Sequence, residues 1–160
     1  MLIFEKEWTW DNKGYYIMET IVSESGTGKF SQEIRIGAHA LKADEPLASG
    51  GNDTGPSPYD LLLAGLGSCT SMTLRMYADF KKIPLRKVIV RLQHEKIYAE
   101  DCADCENKNS KMDHIIRKIE LQGDLTEIQR QKLLEMADKC PVHRTLTSKL
   151  FITTELVPEG

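Results

Sequence analysis

Residues 60–79 form a single stretch, DLLLAGLGSCTSMTLRMYAD, in which nearly every position is apolar or small. A helix of this composition has no face that water would select, so it must be surrounded, in a core or at a subunit interface. Its start is marked locally. Ser57 can cap the first turn, and Pro58 suits the first helical position, where its missing N–H costs nothing. Gly65 and Gly67 each cost up to ~1 kcal/mol inside a helix, an expense that points to close approach by another backbone. Pro84 closes the segment.

Strand signals surround this helix. LIFEKEW (2–8) and YYIMETI (15–21) flank the turn-forming Asp11-Asn12-Lys13-Gly14, and FSQEIRIGAH (30–39) follows a second glycine-containing turn. Residues 43–57, ADEPLASGGNDTGPS, read as a long loop, a length that marks a lid or a site border more often than a simple connection. After Pro84, Val88, Val90, Leu92, His94 and Lys96 share one strand face, and Ile115, Ile119 and Leu121 form the inward set of a strand over 115–122. Thr126 with Gln129 matches a capping box, opening a helix whose apolar side is Ile128, Leu133, Leu134 and Ala137. Cys140-Pro141 interrupts that helix and starts a short one over 142–147, followed by a last strand over 150–156. The expected fold is α+β, a single domain over 1–160 with antiparallel strands around a buried central helix.

Charge and apolar patterning exclude several functions. The 21 Lys+Arg and 24 Asp+Glu nearly balance, leaving a net charge of -3, and no basic stripe exists to drive nucleic-acid binding. The most apolar run, 61–66, is far too short to cross a bilayer, which takes about 20 residues. No basic stretch leads into a long apolar one at the N-terminus, so no secretory leader is expected and the expected location is cytoplasmic. The four cysteines are then thiols in a reducing compartment, better used for chemistry or metal binding than as staples.

Two of them sit in helical settings. Cys69 lies within Gly67-Ser68-Cys69-Thr70-Ser71, whose small residues leave room beside a sulfur. Cys140 immediately precedes a helix start, where unsatisfied amides favour a thiolate, and His143 and Arg144 are close in sequence. On pattern alone, Cys69 is equally readable as a buried cysteine acting as a small hydrophobe, and Cys140 less readily so.

The segments TGPSPYDLLLAGLGSCTSM (54–72) and LLEMADKCPVHRTL (133–146) resemble the OsmC/Ohr family of osmotically inducible and organic-hydroperoxide-resistance proteins, in its OsmC-like branch. The resemblance runs along nearly the whole chain. It implies an intertwined homodimer with two thiol sites at the subunit interface, and no cofactor. It further implies that Cys69 attacks a peroxide as the peroxidatic cysteine and Cys140 resolves the resulting sulfenic acid as a disulfide. An external dithiol, a lipoylated protein or a small molecule, would then reduce that bond. Peroxidatic members carry a glutamate just after the helix-opening proline, where it holds an arginine beside the cysteine. Here that position is Tyr59, and Asp60 is the candidate carboxylate in its place.

Arg35, on the strand before the long loop, is the candidate arginine, able to reach Cys69 across an interface; its other reading is an exposed strand residue. Arg75 lies nearly opposite Cys69 on the helix, and Arg144 competes near Cys140. His143 is the candidate for proton transfer, or it caps and packs. His39 and Asp44-Glu45-Pro46 border the loop as pocket residues or as a strand end and turn. Cys102 and Cys105 form a CxxC that a solvated loop, a zinc site completed by His94 and His114, or an auxiliary redox role would each explain. Two further functions stay open beside the peroxidase: a non-peroxidase protein that binds a hydrophobic or electrophilic small molecule, and a zinc-binding structural homodimer.

Overall fold

The computed structural model describes residues 9–10, 16–17, 19–98 and 111–158. The chain divides into two compact units, Met1–Leu61 and Leu62–Gly160.

In the first unit, β1 (Thr9–Trp10) and β2 (Tyr16–Ile17) pair antiparallel, with Trp10 opposite Tyr16. The expected turn at 11–14 between them lies outside the described residues. A second antiparallel sheet has the order β3 (Thr20–Glu24), β4 (Gln32–Ile36), β5 (His39–Ala43). The single strand expected over 30–39 is divided, because Gly37 takes φ 57° and reverses the chain so that Ile36 faces His39.

The loop at 44–57 is not the structureless connection its composition suggests. It contains a short 3-10 turn at Leu47–Ser49 and is gathered around one carboxylate. Asp44 is buried. Its Oδ1 accepts from the Glu45 amide at 2.8 Å. Its Oδ2 accepts from the Asn52 and Thr54 amides at 3.2 Å each and from the Thr54 hydroxyl at 2.8 Å. Burial pushes the Asp44 carboxyl up, but these four donors outweigh it and hold it below the usual aspartate range.

Helix α1 (Pro58–Phe80) starts with a reciprocal cap: the Ser57 hydroxyl and amide donate to Asp60 Oδ2 at 2.7 and 3.0 Å, and the Asp60 amide donates back to Ser57 Oγ at 3.3 Å. It ends before Pro84. Lys82 takes φ 54°, its amide bonds the Asp79 carbonyl at 3.1 Å, and the Ile83 amide bonds the Ala78 carbonyl at 2.8 Å, a Schellman closure.

In the second unit, β6 (Leu85–Tyr98) and β7 (Lys111–Gly123) form a long antiparallel ribbon. Helices α2 (Glu127–Ala137) and α3 (Pro141–Thr147) follow, and the Thr126–Gln129 capping box forms as the sequence indicates. The core joins Leu74 and Ala78 of α1 to Leu85, Leu133 and Ala137, with Val88, Ile119 and Leu121 packed around them. Burying Leu74 and Leu133 contributes about 1.5–3 kcal/mol each. Arg75 sews the end of α1 to the ribbon through the Leu85 and Arg86 carbonyls at 2.6 and 3.0 Å.

Within the single chain, helix α1 is buried along one stripe, Leu66, Gly67, Thr70, Leu74 and Ala78, whereas Met76 and Phe80 on other faces are 71% and 76% exposed. Other expectations need correction. Among the described residues no other backbone approaches the glycines of α1: a Cβ on Gly67 would meet the Leu92 side chain at 2.8 Å, and one on Gly65 meets nothing within 4 Å. On α2, Leu133 and Ala137 are buried but Ile128 and Leu134 are exposed, because the ribbon covers a narrower arc than the apolar residues span. The last strand expected over 150–156 does not form; its residues find no ladder partner, and a lone strand leaves its backbone donors unpaired. Among the described residues no helix is long and apolar enough to cross a membrane.

Candidate dithiol site

Cys69 and Cys140 are brought together. Cys69 sits half-buried on α1, and Cys140 is fully buried at the junction of α2 and α3. The two thiols lie close enough for each to shift the other's ionisation. The junction is set by Pro141: it occupies the first position of α3 and leaves Cys140 as an extended N-cap, whose sulfur accepts the His143 amide at 3.3 Å. The nearby Val142 amide also favours the thiolate form of both sulfurs.

These contacts divide the proton unequally. Burial pushes both thiols up. At Cys140 the donors, namely the His143 amide, the Cys69 thiol, the Thr70 hydroxyl and the Val142 amide, reverse that and bring the thiol below its ordinary value. At Cys69 the Val142 amide and Thr73 hydroxyl offset only part, while the Cys140 sulfur adds to the upward push as an acceptor and as a charge. The proton therefore stays longer on Cys69.

Behind Cys140 lies a residue that the sequence reading passed over. Arg117, on β7, has a side chain only 13% exposed. Its Nη1 donates to Thr70 Oγ1 at 3.1 Å and to the Ala137 carbonyl at 3.2 Å, and its Nη2 donates to Asp138 Oδ1 at 2.6 Å. The Thr70 hydroxyl in turn reaches Cys140 Sγ at 3.7 Å and the Leu66 carbonyl at 2.8 Å. A signal for Arg117 was present: it stands between Ile115 and Ile119, at the same strand parity as the inward set, where a charge is out of place.

The other expected site residues are placed as follows. His143 contributes its backbone amide to Cys140. Arg144 is exposed on α3. The Asp60 carboxylate is engaged in capping α1, and Ser57 holds it below the usual aspartate range. Arg35 is exposed on β4, opposite Ala40, and lines an open hollow of about 490 Å³ along the β4–β5 hairpin in the first unit, as does His39.

The zinc arrangement drawn from both histidines is corrected. His94 stands opposite Ile115 and His114 opposite Glu95, so the two rings leave opposite faces of the ribbon. His94 Nε2 pairs with Asp113 at 2.8 Å and His114 Nδ1 with Glu95 at 3.0 Å. Cys102 and Cys105 lie outside the described residues. Among the described residues, no group of three or more His, Cys, Asp or Glu is arranged to hold a metal.

The family described as OsmC-like protein matches residues 50–155. Solved structures with the same fold include an organic hydroperoxide resistance protein OsmC from Legionella pneumophila, 18% identical, with TM-score 0.61 over 82% of this chain and 90% of that one. An organic hydroperoxide resistance protein from Elizabethkingia anophelis is 19% identical, with TM-score 0.63 over 84% of this chain and 91% of that one. The organic hydroperoxide resistance protein OhrB of Bacillus subtilis is 19% identical, with TM-score 0.56 over 82% and 90%. No curated protein matches the chain.

Proposed function

Because the chain belongs to the OsmC-like protein family, we propose that it is a thiol-dependent peroxidase acting on organic hydroperoxides or hydrogen peroxide. The observation that carries this reading is the convergence of two thiols far apart in the chain, one half-buried and one fully buried. Cys69, the more accessible sulfur, gives up its proton and attacks the outer peroxide oxygen. The O–O bond breaks, leaving a Cys69 sulfenic acid and an alkoxide, which leaves as the alcohol after taking a proton. The Cys140 sulfur then attacks the Cys69 sulfur, expelling hydroxide and forming the Cys69–Cys140 disulfide. An external dithiol, such as a lipoylated protein, restores both thiols.

The working form in this proposal is an intertwined homodimer in the cytoplasm, each subunit a single domain. The exposed α1 residues Met76 and Phe80, and the open space at Gly65, are surfaces that a second copy would cover. Arg35 would then reach Cys69 across the interface, with Asp60 as the carboxylate that steadies it and His143 beside Cys140 as a proton carrier.

Peroxide consumption with dithiothreitol as reductant tests the reading. Cys69→Ser should abolish turnover, and Cys140→Ser should accumulate a sulfenic acid with no internal disulfide. Equal turnover in both variants and the parent would overturn the assignment. A second reading is favoured by Tyr59 and by the capping role of Asp60: a family member that binds an electrophilic or hydrophobic small molecule without turnover. Stoichiometric adduct formation at Cys69 with no peroxide consumed would select it.

A further inference from the structure

Arg117 bonds both of the segments that carry the candidate cysteines. We propose that it is a positioning residue whose guanidinium acts as a rigid spacer, fixing the separation of the Cys69 and Cys140 segments for disulfide formation.

The junction that carries Cys140 has few backbone bonds of its own. Helix α2 ends at Ala137, and Cys140 turns extended, with φ -60° and ψ 135°, before Pro141 opens α3. Across the junction the Lys139 amide bonds the Met136 carbonyl at 3.1 Å and the Cys140 amide bonds the Ala137 carbonyl at 3.3 Å, so the longer bond falls at the cysteine. The same Ala137 oxygen accepts Arg117 Nη1 at 3.2 Å. Carbonyls of a last helical turn lack intrahelical partners, and each has two lone pairs, so this one can take both donors.

The guanidinium also reaches the other segment. Nη1 donates to Thr70 Oγ1 at 3.1 Å, and Thr70 directly follows Cys69 on α1. Nη2 donates to Asp138 Oδ1 at 2.6 Å. One planar group thus spans from the residue after the first cysteine to the two residues that lead into the turn at the second. Thr70 is a firm anchor: it is fully buried, and its hydroxyl is bonded to the Leu66 carbonyl at 2.8 Å. Thr70 Oγ1 ends 3.7 Å from Cys140 Sγ, which measures how closely the two segments are drawn together. A guanidinium presents its donors in a fixed fork and so sets a distance, whereas an ammonium on a flexible stem supplies a point charge.

This role is separate from that of Arg35, which in the proposed homodimer reaches the attacking Cys69 sulfur. Arg117 bonds a hydroxyl, a carbonyl and a carboxylate beside the sulfurs. The catalytic consequence rests on the peroxidase reading. The resolving step joins the Cys140 thiol to the Cys69 sulfenic acid, giving the disulfide and one water. A fixed separation raises the effective concentration of one sulfur at the other, and resolution then precedes further oxidation of the sulfenic acid to sulfinic acid.

Equilibration with reduced and oxidised glutathione tests the spacer without peroxide, in a background where Cys102 and Cys105 are serine. One oxidised glutathione converts the dithiol to the Cys69–Cys140 disulfide and becomes two reduced glutathiones, so the equilibrium constant reads the effective concentration of the pair. Arg117→Met should lower that constant about tenfold, the worth of one hydrogen bond to a charged group. Arg117→Lys should stay with the methionine variant, since it keeps the charge and loses the fork. Asp138→Ala, at a side chain 67% exposed, should lower the constant about threefold. Thr126→Ala weakens α2 at its far end and should leave the constant unchanged, which separates loss of position from loss of stability. An unchanged constant in Asp138→Ala overturns the spacer even where the Arg117 variants fail to fold. Full recovery by lysine, or an equal fall in Thr126→Ala, overturns it as well. Peroxide turnover by the parent with an unchanged constant in the variants leaves the peroxidase reading standing without the spacer. The expected losses without turnover support the spacer and remove the peroxidase.

Discussion

Asp44 illustrates how one side chain can hold a loop. Its carboxylate gathers three amides and one hydroxyl from residues up to ten positions away, so a segment rich in Gly, Pro and Asp takes one shape. Asp44→Ala should leave those donors without their acceptor and raise amide hydrogen exchange at Asn52 and Thr54 about tenfold or more. The pH dependence has a definite sign. The folded carboxyl sits below its unfolded counterpart, so its contribution is complete above the ordinary aspartate value of about 3.9 and is lost as pH falls through the lower folded value. Protection of the same two amides relative to their intrinsic exchange rates should fall on acidification in the parent and stay flat in the alanine variant.

Elements defined by local chemistry were readable in advance. The Thr126–Gln129 box and Pro141 at the start of α3 each depend on residues a few positions apart. Thr126→Ala should cost about 1 kcal/mol in a urea unfolding curve, and Thr126→Ser should cost little, because the cap is a single hydroxyl accepting the Gln129 amide. What depended on distant partners was not readable. The width of the covered stripe on α1 is set by β6 and α2, and the 150–156 segment lacks a ladder neighbour. At the site, the two cysteines were identifiable because each has a local helical context. Arg117 and Thr70 were not, since a charge among Ile115, Ile119 and Leu121 reads as a break in the pattern until a buried acceptor is seen opposite it.

For the whole molecule, the exposed apolar residues are where the second copy of the proposed homodimer would pack. Met76 and Phe80 rise from α1, and the 150–157 tail carries Phe151, Ile152, Leu156 and Val157 into solvent. A chain with this much uncovered surface is expected to self-associate. Met76→Glu combined with Phe80→Glu places two charges where the second copy would pack, and sedimentation should then shift from dimer to monomer. An unchanged dimer would locate the interface elsewhere.

Gly67 bears on all of this through what it lacks. A single added methyl there would strike Leu92, which stands across the ladder from Arg117. The Leu92 methyl occupies the place a side chain on Gly67 would take, and one turn further on Thr70 comes within grasp of the guanidinium. A side chain at this position would have to displace Leu92 from the seam between the helix and the strand that carries the guanidinium's ladder partner.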